Sequence, residues 1–203
     1  MLLYQFRMGT NPRRVIIYLS EKGIQVPRYE LDYANKMHRA PDYLAINPSG
    51  RAPTLITDDG VAITESAAIV EYLEELYPER PMIGTNALSR ARVRAFERLG
   101  NDLIVRCQVW LWNLTDAFLA KEPEPSQEVA RKSYRYVVEI LDIMEATIGD
   151  NAFLTGDTPT IADFTTFAIF QTARERFNQP MGAGHPRIDA WYGRFRARPS
   201  ANY

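Results

Sequence analysis

Two short stretches hold the residues whose types and spacing can do chemistry. The first is Asn47-Pro48-Ser49-Gly50-Arg51-Ala52-Pro53-Thr54-Leu55, a turn that delivers a proline onto the start of a strand. Proline has no N–H for a sheet ladder, so a central strand would avoid it there. An X-Pro bond adopts cis at a cost of only roughly 0.5–1 kcal/mol. A cis bond at Pro53 would turn the N–H and C=O of Ala52 outward, free to pair with an extended peptide. The second stretch, Thr64-Glu65-Ser66, sets a carboxylate and a hydroxyl at a helix N-terminus, where anions are stabilised. Together they describe a socket for a small zwitterionic peptide, although plain helix capping also accounts for Glu65 and Ser66 taken alone.

The elements that must position these groups can be read from periodicity. Leu2–Phe6 reads as a strand and Pro12–Lys22 as a helix with Val15, Ile16 and Leu19 on its apolar stripe. Asn11 suits the N-cap of that helix, Pro12 its first position, and Gly23 its end. Val26–Leu31 is a second strand, parallel to the first through a right-handed crossover. A short helix over Pro41–Ile46 leads into the turn. Strands Thr54–Thr57 and Val61–Ile63 flank the hairpin signal Asp58-Asp59-Gly60. Glu65–Tyr77 is the next helix, ended by Pro78.

After Pro78–Thr85 the strand vocabulary disappears. Helical patterns cover Leu88 to about Leu119, Gln127–Ile148, the segment from Thr160-Ile161-Ala162-Asp163 to Phe177, and Pro186 to Arg198. Lys121-Glu122-Pro123-Glu124-Pro125 should stop the first of these. The fold class is therefore α/β plus all-α. Its expected domains are residues 1–78, a linker at 79–85, and a helical domain at 86–203, with a ligand crevice between them.

Composition bounds the partners. The 203 residues carry a net charge of −1, which offers no electrostatic footprint for nucleic acid or an anionic membrane. No apolar run approaches the roughly 20 residues of a membrane span. The single Cys107 excludes an intrachain disulfide and a C-x-x-C pair. A reduced, cytoplasmic setting is expected.

The Asn47–Leu55 turn with Thr64-Glu65-Ser66, on a βαβα frame, resembles the glutathione site of the glutathione S-transferase family, and the resemblance runs along nearly the whole chain. It implies a thioredoxin-like N-terminal domain that binds glutathione, an all-helical C-terminal bundle that supplies an electrophile pocket, a homodimer across the third and fourth helices, and a detoxifying role. In such a site Ala52, ahead of Pro53, pairs with the cysteinyl unit. Ser66 holds the γ-glutamyl carboxylate, and Glu65 takes the ammonium. His38 matches a polar position that reaches the glycyl carboxylate, with Arg51 near enough to help.

Thiol ionisation is where the sequence departs from the pattern. A free thiol titrates near 8.5, and a hydrogen-bond donor or helix N-terminus lowers it. Aligning Val15 with the family's helix-one valine puts Gly9 where the family's Tyr, Ser or Cys stands. That resembles an atypical, fungal-type branch in which helix-one amides act with a water. Thr10 and Asn11 are the candidate side-chain donors. The missing loop cysteine argues against mixed-disulfide chemistry.

The electrophile pocket is expected on the long helix, where Arg106, Trp110 and Asn113 share a face at i, i+4 and i+7. Packing of Trp110 and Trp112 into the bundle or a dimer contact is the competing reading; Phe118 and Tyr4 read as core. Asp163 is explained by its capping pattern, and Gly182-Ala183-Gly184 by a simple connection. The sequence carries no H-E-x-x-H, Cys/His metal spacing, phosphate loop or G-x-S-x-G elbow, so no metal is expected. The expected activity is conjugation of the glutathione thiolate to small hydrophobic electrophiles. A non-catalytic adaptor or carrier, and a glutathione-dependent dehalogenase, isomerase or peroxidase, are the alternatives.

Overall fold

The computed structural model describes residues 1–114 and 124–202, which form two compact units: 1–82 with 199–202, and 83–198. The expected core residue Phe118, the end of the long helix near Leu119 and most of its Lys121–Pro125 stop lie outside the described residues.

The first unit is a four-stranded sheet in the order β2-β1-β3-β4, built from β1 (Leu2–Gln5), β2 (Arg28–Glu30), β3 (Thr54–Ile56) and β4 (Ala62–Thr64). β1 pairs with β2 in parallel and with β3 antiparallel, Leu3 standing opposite both Arg28 and Leu55. Helix α1 (Thr10–Lys22) makes the parallel crossover, and a two-strand hairpin supplies β3 and β4. α2 (Pro41–Ile46) and α3 (Ser66–Leu76) complete the unit. This is the thioredoxin-like arrangement expected from the order of elements. Its core joins Leu3 and Leu55 from the sheet to Val15, Ile16 and Leu19 of α1 and to Ile69 and Leu73 of α3, all buried. Each such side chain contributes about 1.5–3 kcal/mol.

A charged cluster pins the end of this unit. Lys22 and Glu74 pair at 2.7 Å with both side chains 2% exposed. Tyr18 donates to Glu74, as does the Met82 N–H, and Lys22 also donates to the carbonyls of Tyr77 and Glu79. The chain's last stretch, expected to belong with the helical part, returns to the first unit. A 3-10 turn at Pro199–Ala201 packs there, and the Ser200 hydroxyl donates to Glu21 of α1.

The second unit is all helix: α4 (Ala87–Leu114), α5 (Gln127–Ile148), α6 (Ile161–Phe177) and α7 (Pro186–Arg196). α6 is buried on every side from Ile161 to Ala173, as a helix at the centre of a bundle must be. α4 approaches it closely at Gly100, where a Cβ would stand 2.8 Å from the Thr166 hydroxyl. The capping box of α6 is present, and Asp163 does more than cap. Its carboxylate accepts from Leu154 N–H, Thr160 N–H, the Thr160 hydroxyl and the Trp191 indole, tying α6 to the preceding loop and to α7. Burial pushes this carboxyl up from its ordinary value while the four donors pull the other way. No helix among the described residues is long and apolar enough to cross a membrane.

Candidate functional site

A cleft in the first unit is lined by Asn11, Asn47, Ser49, Arg51, Ala52, Pro53, Glu65 and Ser66. Three chain segments converge there. The start of α1 brings Asn11, the turn before β3 brings residues 47–53, and the start of α3 brings Glu65 and Ser66. The Ala52–Pro53 bond is cis. The N–H and C=O of Ala52 have no hydrogen-bond partner among the described residues. The Asn11 amide, the Arg51 guanidinium, the Glu65 carboxylate and the Ser66 hydroxyl are likewise uncommitted there, although Ser66 is only 4% exposed. Buried polar groups normally find partners within the fold, and Ser66 is a buried one that does not. Arg51 and Glu65 are exposed and Asn11 and Ala52 partly so, which leaves all five open to whatever enters the cleft.

Glu65 is held in a costly conformation. It is the N-cap of α3 rather than its first residue, with φ 67° and ψ 118°. Such a backbone costs a non-glycine residue on the order of 1–3 kcal/mol. Ser66 is therefore the first helical residue, and the unpaired N–H groups of the first turn of α3 open at the cleft.

α1 also begins differently from expectation. Gly9 is its N-cap, with φ −80° and ψ 138°, and Thr10 is its first residue. Asn11 is thereby released from the capping role. Pro12 sits in the first turn, where its missing N–H costs nothing. Thr10 is buried and does not line the cleft, whereas Asn11 does. His38 is buried on the 3-10 turn Met37–Arg39, its ring stacked on Tyr33 at 3.9 Å. It lies outside the cleft lining, but its carbonyl is 2.8 Å from where a Cβ on Gly50 would stand, so it backs the turn.

Residues 3–81 match the model of the glutathione S-transferase N-terminal domain, and residues 110–199 match that of the C-terminal domain. Maleylacetoacetate isomerase of Pseudomonas aeruginosa is 35% identical over 193 residues, covering 93% of this chain and 87% of its own. Glutathione S-transferase 3 of Zea mays is 29% identical over 213 residues, covering 98% and 90%. A solved glutathione S-transferase domain-containing protein from Marinobacter aquaeolei superposes with a TM-score of 0.87 at 27% identity, over 98% of this chain and 99% of that one. The chain belongs to the glutathione S-transferase family.

Glutathione is the co-substrate of this family. Among the described residues no group of three His, Cys, Asp or Glu side chains is placed to hold a metal ion. The transferase fold accounts differently for the three residues expected to form an electrophile pocket. Trp110 is buried with its ring 4.6 Å from that of Tyr134 on α5, and the Arg106 guanidinium lies 4.6 Å over Tyr136. Asn113 bonds to Val109 O and accepts from Ser126 N–H. The three share a face that contacts α5 and its N-cap, with Trp110 buried, Asn113 partly exposed and Arg106 exposed. Tyr4 is half-buried between the rings of Tyr29 and Tyr43 rather than fully core. Cys107 is fully buried, and burial pushes its thiol well above the ordinary range. Sequence reasoning missed Asn47 and Ser49 as part of the cleft. Both looked like turn formers, and only the closed turn brings them round to its wall.

Proposed function

We propose that this transferase binds glutathione in the cleft, ionises its thiol and delivers the thiolate to an electrophilic carbon of a small apolar molecule. The single observation that carries the reading is the set of five uncommitted polar groups. They match the tripeptide one for one. Ala52 pairs with the cysteinyl unit beside Pro53. Ser66 and the first N–H groups of α3 hold the γ-glutamyl carboxylate, and Glu65 takes the ammonium. Arg51 takes the glycyl carboxylate. Asn11 remains, and its side-chain amide donates to the sulfur. The N–H groups of Thr10 and Asn11 at the start of α1 add the positive end of a helix. Gly9 contributes no side chain, so the donor moves two residues along.

In the reaction the thiol proton passes to solvent and the sulfur–carbon bond forms as the carbon's bond to its leaving group breaks. Proximity and a lowered thiol pKa supply the acceleration. The single cysteine and the family membership support a reducing, cytoplasmic setting and a homodimer.

A second reading follows from the relative of Pseudomonas aeruginosa, which is named a maleylacetoacetate isomerase. Here the thiolate adds to a conjugated cis double bond, the resulting single bond rotates, and the thiolate is expelled. Glutathione is regenerated, so its consumption separates the two readings.

The test is an ultraviolet titration of bound glutathione thiolate across pH in the native enzyme, Asn11→Ala and Ser66→Ala. Ser66→Ala should weaken binding. Asn11→Ala should leave binding largely intact and raise the bound thiol pKa by about one unit, the worth of one hydrogen bond to a charged group. A native thiol pKa near 8.5 would refute activation, and an unshifted Asn11→Ala would refute Asn11 as the donor.

A further inference from the structure

Of the five cleft groups, four are side chains with their own freedom, but the Ala52 N–H can aim only where its peptide plane aims. The backbone alone does not hold that plane. Gly50 precedes it at φ 58°, the Arg51 side chain is exposed, and β3 begins only at Thr54. A buried side-chain network holds it instead. The Arg51 carbonyl accepts from the Tyr43 hydroxyl at 2.6 Å and from Asn47 Nδ2 at 2.8 Å. The second Asn47 amide hydrogen goes to the Thr54 hydroxyl at 2.9 Å. Tyr43 has one hydrogen, already given to Arg51, so the Thr54 hydroxyl donates to Tyr43 at 2.9 Å. On its other side Asn47 Oδ1 accepts from the Ser49 N–H and hydroxyl, and Ser49 Oγ accepts from the Arg51 N–H. Every donor and lone pair of Asn47 is used.

A trans peptide is planar, and its N–H points opposite to its C=O. With the Arg51 carbonyl drawn into Tyr43 and Asn47, the Ala52 N–H must face away from the network. Ala52 lines the cleft, and its N–H has no partner among the described residues. We propose that Tyr43 and Asn47 are positioning residues for the peptide substrate: their side-chain polar atoms are committed to the turn, and together they set the direction of the one backbone donor that fixes its register. This rests on the glutathione reading of the cleft. Preorganised donors recover the reorganisation cost that a free peptide plane would add on binding.

The test compares native enzyme, Tyr43→Phe, Asn47→Ala and Ser66→Ala by calorimetric titration with glutathione, alongside steady-state kinetics with a chlorodinitrobenzene electrophile. Tyr43→Phe keeps the ring against Tyr4 and removes one donor. It should raise the glutathione dissociation constant and KM about threefold to tenfold, with kcat and the electrophile KM unchanged. Asn47→Ala, which loses both amide hydrogens, should exceed it. A merely structural role would lower Tm and the active fraction while leaving affinity per folded molecule alone, and that result overturns the proposal. In the native enzyme the Ala52 amide resonance should shift on glutathione addition, and an unmoved resonance overturns it too, whether or not the variants fold. Native protein that fails to bind, or a Ser66→Ala variant that binds normally, refutes the glutathione site itself and the inference with it. Normal weakening in Ser66→Ala with an unaffected Tyr43→Phe refutes the positioning role alone.

Discussion

Replacing Asp163 tests whether hydrogen-bond accounting in the helical unit is right. The carboxylate is 0% exposed. One oxygen accepts from Leu154 N–H at 2.9 Å and Trp191 Nε1 at 2.8 Å, the other from Thr160 N–H at 2.8 Å and the Thr160 hydroxyl at 3.1 Å. In Asp163→Asn the amide oxygen can keep the first pair. Its NH2 then faces the Thr160 N–H, donor against donor, while the Thr160 hydroxyl can turn to accept. One buried N–H is stranded, at about 1–3 kcal/mol. Removing a carboxylate whose charged form burial disfavours returns part of that, so the net cost should be about 1–2 kcal/mol. Asp163→Ala strands three N–H donors and opens a small cavity, and should cost about 3–5 kcal/mol. All three tryptophans lie in the helical unit, so urea unfolding followed by tryptophan fluorescence reports on it directly. The expected outcome is two shifted midpoints with common slopes, the alanine variant losing at least twice as much as the asparagine variant. Equal losses, or losses below about 0.5 kcal/mol in both, would refute the accounting.

The first unit offers two further tests. Glu74→Gln leaves the buried Lys22 ammonium with two carbonyls and no counter-charge, and should cost about 3–5 kcal/mol in urea unfolding followed by circular dichroism. A loss under about 1 kcal/mol would show that the carbonyls alone satisfy Lys22. Gly9→Ser returns a hydroxyl to the place where most relatives are expected to carry theirs, yet its Cβ would stand 3.0 Å from Pro12 Cδ and 3.1 Å from Phe6 O. Crowding of about 1–3 kcal/mol outweighs the few tenths that serine gains over glycine as an N-cap, so Tm should fall and kcat should not rise. A more active and equally stable variant would contradict this.

The order of elements was legible because period and punctuation agree, from Gly23 after α1 to Gly60 in the β3–β4 turn. Boundaries were less so. Pro12 fits any of the first helical positions, since none of the first N–H groups has a partner, so the sequence could not separate Asn11 as N-cap from Gly9. β2 is shorter than Val26–Leu31 because it is an edge strand with β1 as its one neighbour. The i, i+4, i+7 spacing of Arg106, Trp110 and Asn113 puts them on one face but carries no information about which neighbour meets it; Tyr134 and Tyr136 of α5 lie against Trp110 and Arg106. The Tyr43–Asn47–Thr54 network was invisible for a related reason: its members lie four and seven residues apart and meet only once the turn closes.

Two helix starts in this chain use the same chemical vocabulary and do opposite things with it. At α6, Thr160 and Asp163 commit every polar atom to the fold, in the capping box, the Leu154 N–H and the Trp191 indole. At α3, Glu65 and Ser66 commit none of their side-chain atoms among the described residues, and Glu65 carries a strained backbone besides. Sequence alone offers both as an acid and a hydroxyl at a helix N-terminus, so capping explains Asp163 and stands beside the ligand socket as an account of Glu65 and Ser66. The difference appears only when each donor and acceptor is traced to its partner. A carboxylate whose lone pairs are all taken stabilises, and its loss should be read in ΔG. One whose lone pairs are all open, at a cost of strain, is left for a ligand under the proposed reading, and its loss should then be read in Kd. Asp163→Asn and Ser66→Ala therefore belong in the same experiment. The first should move the unfolding midpoint and leave glutathione affinity alone, the second should do the reverse, and a crossover in either direction would break the distinction.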